Sequence, residues 1–300
     1  MKKEVLLYEL AKVEKLATTS KLGRLVTRPI QYIYALSLRD LFKRSASPAT
    51  CETFFGSKMH IVLPSASDIY ITKGKSHDSE IRLARFLINQ LDESDTFLDI
   101  GAHYGYFSLL ASKLVGERGK VHCFEAAPST FKVLSKNIAL ARNITAVNQA
   151  ASNKKEQLTF YEFPPIYSEY NSMDIAQYKG QDWFAKNPPK TVNIPAISLD
   201  DYFQASSLQP KIIKIDVEGA ERIVLEGAQQ YLKNNSPIIA MEYIASEDIN
   251  STHQQASQFL KHLGYQSYAI NTKGELISIK DVENYMKSEG LDSDNVVFNK

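Results

Sequence analysis

Cysteine is nearly missing from the chain. Cys51 and Cys123 are its only two among 300 residues. That excludes a disulfide scaffold and a cysteine-based zinc site, and fits a reduced compartment. No apolar run approaches the ~18 residues of a membrane-spanning helix. Met1-Lys2-Lys3 opens with signal-peptide charge, but Glu9, Lys12, Glu14 and Lys15 break the apolar stretch such a peptide needs. A cytoplasmic location is therefore expected, with peripheral contact at the inner membrane face left open. Gly-x-Gly-x-x-Gly is absent, which argues against a dinucleotide, and Gly-Lys-Ser/Thr is absent, which argues against a P-loop. The six histidines (60, 77, 103, 122, 253 and 262) form no His-x-His or His-Glu-x-x-His pattern, so a zinc site is not expected. Charge of one sign is lacking too. The 35 basic and 34 acidic residues leave a net +1, too little to draw the whole molecule to nucleic acid.

What is present is ordinary globular composition, 44% hydrophobic and 23% charged, in a chain long enough for one large α/β domain with an extension. The charge is unevenly spread: residues 1–50 hold ten bases and four acids. This stretch reads as helical, with Leu6, Leu7, Leu10, Val13 and Leu16 at helical spacing. Pro29 breaks or starts a second helix carrying Ile30, Ile33, Tyr34, Leu38, Leu41 and Phe42. Short strands are expected at 61–63 and 69–71. We read residues 1–75 as an extension and 76–300 as the main domain.

From residue 78 helices and strands alternate. Helices are expected over 81–91, 106–114, 128–142, 221–232 and 252–263. Strands are expected over 96–100, 120–125, 145–149, 211–217, 237–243, 265–270 and 295–298. Such alternation predicts a doubly wound, mostly parallel α/β sheet of seven strands, which binds ligands beyond the carboxyl ends of its strands. One block departs from it. Residues 160–184 hold eight aromatics, including Tyr167, Tyr170, Tyr178 and the single Trp183, and read as an insertion running to about 190.

Three motifs carry chemistry. Asp99-Ile100-Gly101-Ala102-His103-Tyr104-Gly105 follows a strand. Its glycines allow a tight turn and a close helix start, and its carboxylate beside a helix N-terminus suits a zwitterion. Glu125 ends the next strand about 20 residues on, where an acid accepts hydrogen bonds from a ribose diol. Lys214-Ile215-Asp216-Val217-Glu218-Gly219-Ala220-Glu221 ends a buried strand in three carboxylates. Asp216 belongs at the sheet edge above the same crevice, while Glu221 reads as a helix cap. Asn187-Pro188-Pro189-Lys190 precedes the strand after which an amino-methylating Asn-Pro-Pro-aromatic site would lie, and lacks its aromatic; it reads as a loop.

Taken in order, FLDIGAHYGYFS, FEAAPSTF, AISLDDYF, KIIKIDVEGAE and PIIAMEY resemble the FkbM-type S-adenosylmethionine-dependent methyltransferases over roughly residues 78–298. The resemblance implies the class I methyltransferase fold, a Rossmann-like sheet, and O-methylation of a sugar, glycan or other natural-product acceptor. It places Asp99, Gly101, Ala102 and Gly105 at the methionine end of the cofactor, Glu125 at its ribose, and Ala126, Ala150 and Ala151 near its adenine. Here Ala126-Ala127 stand where the family usually has Pro or Asn, and residues 1–75 fall outside the shared core.

Asp216 is the expected base, followed by Glu218 and Glu242. Asp216 and Glu242 sit near the ends of strands expected to be neighbours, so they would be the ligands if Mg²⁺ were used; magnesium is not expected. His103 is read as a packing or backbone contact and His122 as structural. The aromatic block stands open between a substrate cap and a packed hairpin. Residues 21–44 stand open between lipid contact, through Arg24, Arg28, Arg39, Lys43 and Arg44 beside apolar neighbours, and packing onto the core or a homodimer partner.

Overall fold

A computed structural model describes residues 2–38, 46–246 and 251–300. Arg39, Leu41, Phe42, Lys43 and Arg44 therefore lie outside the described residues. Three helices open the chain: α1 (Lys3–Thr18), α2 (Lys21–Thr27) and α3 (Pro29–Leu36), the last with Pro29 in its first turn. A hairpin, β1 (Ser47–Glu52) with β2 (Lys58–Leu63), leads to α4 (Ser67–Thr72) and α5 (Asp78–Gln90).

The alternating part follows as β3 (Thr96–Ile100), α6 (Tyr106–Val115), β4 (Lys120–Phe124), α7 (Pro128–Ile138) and β5 (Ile144–Val147). Next come β6 (Ala150–Ser152), β7 (Glu156–Glu162), α8 (Asp182–Lys186), β8 (Lys190–Ser198) and α9 (Leu199–Ser206). The chain ends with β9 (Ile212–Ile215), α10 (Glu221–Glu226), α11 (Gln229–Asn235), β10 (Ile238–Ile244), α12 (Thr252–His262), β11 (Gln266–Ile270), β12 (Leu276–Ile279), α13 (Val282–Glu289) and β13 (Ser293–Asn299).

The main sheet runs β12-β11-β13-β10-β9-β3-β4-β5. The pairs β9–β10, β3–β9, β3–β4 and β4–β5 are parallel, and β13 lies antiparallel between β10 and β11. This is the doubly wound class I methyltransferase layout. The order reverses at β3, where β9 flanks it on one side and β4 on the other, so the carboxyl ends of β3, β4, β9 and β10 border one crevice. The central strands are buried on both faces; β9 is buried at all four positions. Separate apolar clusters result, one including Phe86, Leu110 and Val121, the other including Ile213, Val224 and Phe298. Among the described residues no helix is long and apolar enough to cross a membrane.

Several expectations change. The seven strands are present, but β12 adds an eighth at the edge. Ile69-Tyr70-Ile71 lies in α4, not a strand. Three apolar residues cannot by themselves specify a period, and the Asp68 carboxylate accepts the Ile69 N–H at 2.7 Å, which favours a helical first turn. The helix expected over 221–232 is two, parted at Gly227. A Cβ there would lie 1.9 Å from the Ser152 carbonyl oxygen, so β6 crosses too close for a continuous helix with side chains. Ala150 and Ala151 do not end the third strand. They form β6, which pairs with β8 in a second, three-stranded sheet, β6-β8-β7. The aromatic block spans the end of β7 and the excursion from β7 to β8.

The N-terminal helices divide. Leu6, Leu10 and Val13 of α1 are buried in the first core cluster, and Glu14 meets Arg85 of α5 at 2.7 Å. In contrast, α2 buries none of its residues and α3 buries only Ala35.

Candidate active site

The crevice contains a cleft open to solvent. Its walls come from the ends of β3 (Ile100, Gly101), β4 (Phe124, Glu125), β9 (Asp216) and β10 (Glu242), with β6 (Ala150, Ala151) and the insertion (Ser168 to Met173) closing the sides.

Glu125 follows β4 and is 7% exposed. Its two oxygens accept the backbone N–H groups of His103 (2.8 Å) and Ala127 (2.9 Å). Burial outweighs those hydrogen bonds and raises its pKa to about 8. The carboxyl group thereby fixes the His103 backbone, whose φ is +51°, while still lining the cleft. His103 is locked as well: Nε2 meets the Ser168 hydroxyl at 2.8 Å, and the ring stacks on Tyr104. Burial, aided by the charge on Lys75, lowers its pKa to about 3. It is a neutral fixture of the loop.

The turn after β3 is arranged differently from the expectation. The Asp99 carboxylate is 1% exposed and does not line the cleft. One oxygen accepts from the Ser108 hydroxyl at 2.6 Å. The other lies 3.5 Å from the Lys214 ammonium. The register explains this: Asp99 pairs with Lys214 across the parallel β3–β9 ladder. The glycines also answer to packing. A Cβ on Gly101 would lie 1.7 Å from the Asp216 carbonyl oxygen, and one on Gly105 would lie 2.6 Å from Leu134. Gly101 still lines the cleft; Asp99, Ala102 and Gly105 do not.

The turn after β9 faces the cleft. Oxygens of Asp216, Glu218 and Glu242 all lie within 4.8 Å of one another. Their environments separate them. Burial works against the Asp216 charge, but Lys214 Nζ, 3.0 Å away, outweighs it and holds the Asp216 pKa below the usual carboxylate range. Burial and the Asp216 charge push Glu218 up to about 8 and Glu242 well above its ordinary value. The charged form is thus favoured at Asp216, beside the Lys214 ammonium, and the protonated form at Glu218 and Glu242.

The fold holds this turn tightly. Glu218 has φ +54°. Completely buried Glu221 accepts the Val217 and Gly219 N–H groups at 3.2 and 3.3 Å. Its other oxygen faces His253 Nδ1 at 3.6 Å. From above, the Tyr178 hydroxyl donates to Glu218 at 3.0 Å, and the Ser172 hydroxyl donates to the Glu218 carbonyl at 3.0 Å. Tyr167 and Tyr170 both stack on Trp183, with ring centroids 4.9 Å apart. The insertion thus packs on itself and clasps the carboxylate turn.

Sequence reading left several contributors without a role. Lys214 was visible as a cation inside an apolar strand, a signal that it needs buried partners. Lys75 and Glu80, an ion pair at 2.9 Å on the cleft wall, come from before the shared core and carry no local signal. Ser168, Glu169 and Tyr178 are brought in only by the path of the insertion. His122 is confirmed as a packing residue, its Nδ1 2.6 Å from the Tyr202 hydroxyl.

The residues present fit S-adenosylmethionine. Glu125 offers an acid at the end of the second sheet strand. Ala126, Ala150, Ala151, Phe160 and Met173 give the adjoining wall the apolar character a nucleobase needs. A metal ion fits less well, because Lys214 already supplies the cation beside Asp216.

Comparison with known proteins agrees with this layout. The sequence profile of the Methyltransferase FkbM domain matches residues 99–267. Hexuronic acid methyltransferase AglP from Haloferax volcanii is 26% identical over 157 residues, 52% of this chain and 59% of that protein. This chain thus spans about three fifths of that relative. Among solved structures, methyltransferase FkbM from Methylobacillus flagellatus overlaps with a TM-score of 0.42 at 14% identity, covering 79% of this chain and 53% of that one. Aeropyrum pernix fibrillarin, with natively bound S-adenosyl-L-methionine, gives 0.41 at 14% identity, covering 72% and 73%. Neither overlap is close enough to carry an argument about acceptor or mechanism. The profile match covers more than half of the chain, and the protein belongs to the FkbM family of S-adenosylmethionine-dependent methyltransferases.

Proposed function

We propose that the protein methylates a hydroxyl group of a sugar or glycan, with Asp216 as the proton acceptor. The observation that carries this reading is the carboxylate cluster on the cleft wall: three carboxyl groups within 4.8 Å, one of them 3.0 Å from the Lys214 ammonium, which favours its charge, while burial favours the protonated form of the other two. Carboxyl groups in both states suit a polyhydroxylated acceptor, because they accept and donate hydrogen bonds to neighbouring hydroxyls. The likeness to a hexuronic acid methyltransferase supports a sugar.

When bound, S-adenosylmethionine supplies an electrophilic methyl group on a sulfonium. Glu125 holds the ribose hydroxyls. Ala126, Ala150 and Ala151 flank the adenine. Gly101 borders the methionine end through its backbone, and Asp99, Ala102 and Gly105 shape that turn from behind. Asp216 orients the acceptor hydroxyl and takes its proton. Glu218 and Glu242 fix neighbouring hydroxyls, and the insertion excludes water around them.

The test is Asp216→Asn with radiolabelled methyl donor and sugar acceptors. Turnover should fall about 10²- to 10⁴-fold, the usual contribution of a positioned base, while S-adenosylmethionine affinity by calorimetry stays within a few-fold. Full turnover in this variant would refute the assignment. Label entering protein or nucleic acid rather than sugar would refute the acceptor class.

A further inference from the structure

The surface of α2 and α3 is unlike the rest of the molecule. Among the described residues, ten large apolar side chains are exposed, and five of them fall between residues 22 and 34. They are Leu22 (69%), Val26 (75%), Ile30 (76%), Ile33 (57%) and Tyr34 (40%). Leu22 and Val26 are one turn apart on α2. Ile30, Ile33 and Tyr34 have the i, i+3, i+4 spacing that aligns side chains along one face of α3. The other five are scattered, and α1, just before, buries Leu6, Leu10 and Val13 while exposing Val5 and Tyr8.

The two helices themselves carry charge of one sign. From Lys21 to Leu36 there are three cations, Lys21, Arg24 and Arg28, and no acid. Arg24 is spent on the backbone carbonyls of Leu16, Ala17 and Thr19 at the α1 C-terminus, which ties the helices together. Lys21 is exposed and Arg28 half-buried at the edge of the apolar residues. Apolar side chains bordered by cations, with no acid, are the composition of a helix lying in a membrane interface.

We propose that α2 and α3 are a membrane-contact surface that seats the protein on a bilayer of anionic phospholipid. The alternative occupant, a second copy of the chain, is opposed by symmetry. A twofold interface would bring this patch against itself, setting Lys21 and Arg28 against the same cations with no acid on α2 or α3 to offset them. An anionic headgroup layer supplies the missing charge, and its apolar boundary covers the side chains. The family profile begins at residue 99, so this surface lies outside the matched region.

The experiment is co-sedimentation of the full chain with vesicles of phosphatidylcholine, with and without phosphatidylglycerol. Binding should require phosphatidylglycerol and weaken with salt. Combined Leu22→Ser, Val26→Ser, Ile30→Ser and Ile33→Ser should reduce it about tenfold or more, and Lys21→Glu with Arg28→Glu by a similar factor. Unchanged circular dichroism and S-adenosylmethionine affinity in both variants would show that the fold is intact. Absence of binding by the wild type, or equal binding by the serine variant, would overturn the proposal. So would a dimer seen by analytical ultracentrifugation that the serine variant dissolves.

Discussion

Two strand-end turns lie side by side in this molecule, and they spend their polar residues in opposite ways. The turn after β3 carries Asp99, Gly101 and Gly105. Its carboxylate is sealed between Ser108 and Lys214, and its glycines make room for Asp216 and Leu134. The turn after β9 carries Asp216 and Glu218, both on the cleft wall. The first turn buries its carboxylate away from the cleft; the second presents its carboxyl groups to it. Lys214 joins them, lying 3.5 Å from Asp99 and 3.0 Å from Asp216. A residue's place in a motif therefore does not reveal which way it faces; the register of the neighbouring strand does.

The sharpest way to test this contrast is a pair of glycine substitutions. Gly101→Ala sets a methyl group against the Asp216 carbonyl at φ +81°, so urea unfolding should show a loss of about 3 kcal/mol or more. Gly219→Ala in the other turn also has positive φ, +96°, but meets nothing closer than Thr252 Oγ1 at 3.6 Å. It should cost only the left-handed strain, about 1–2 kcal/mol. Equal losses would erase the distinction.

Asp99→Asn comes next. It leaves Lys214 buried with one counter-charge fewer, so stability should drop by about 3 kcal/mol at most, since Asp216 remains as partner. Affinity for S-adenosylmethionine, measured by calorimetry on the folded variant, should stay within a few-fold. Loss of binding without loss of stability would mean that Asp99 touches the cofactor after all.

A third effect concerns pH. The folded Glu125 keeps its proton up to about pH 8, whereas the unfolded carboxyl releases it near 4.5. The folded state binds more protons between those values, so this group's contribution is present at acid pH and is lost as pH rises through that window. Glu125→Gln should flatten the decline in the urea midpoint between about pH 5 and about pH 8. An unchanged slope would place Glu125 in a more solvated setting. The smallest effect should come from chelation. With Lys214 beside Asp216, turnover should be unchanged by EDTA, and a loss restored by Mg²⁺ would assign the three carboxylates to a metal instead.

Much of this molecule was legible in its sequence. The alternation from Thr96 to Phe298 named seven sheet strands, because buried parallel strands and amphipathic helices differ in period. KIDVEGAE and FEAAPSTF located the acids at the strand ends, since a glycine-bounded turn after an apolar run has few alternatives. What remained hidden was long-range. β6 and β8 pair across forty residues of insertion, and Gly227 breaks a helix only because Ser152 passes beside it.

The sequence by itself determined which elements form and which residue types end them, since period, turns and caps are local properties of the chain. Tertiary structure alone decided the rest. The β3–β9 register turned Asp99 inward to Lys214 and left Asp216 facing the cleft. The packing of α1 onto α5 left α2 and α3 with their apolar side chains uncovered. Burial and neighbouring charge, which no single residue carries with it, lowered the pKa of Asp216 and raised those of Glu218 and Glu242.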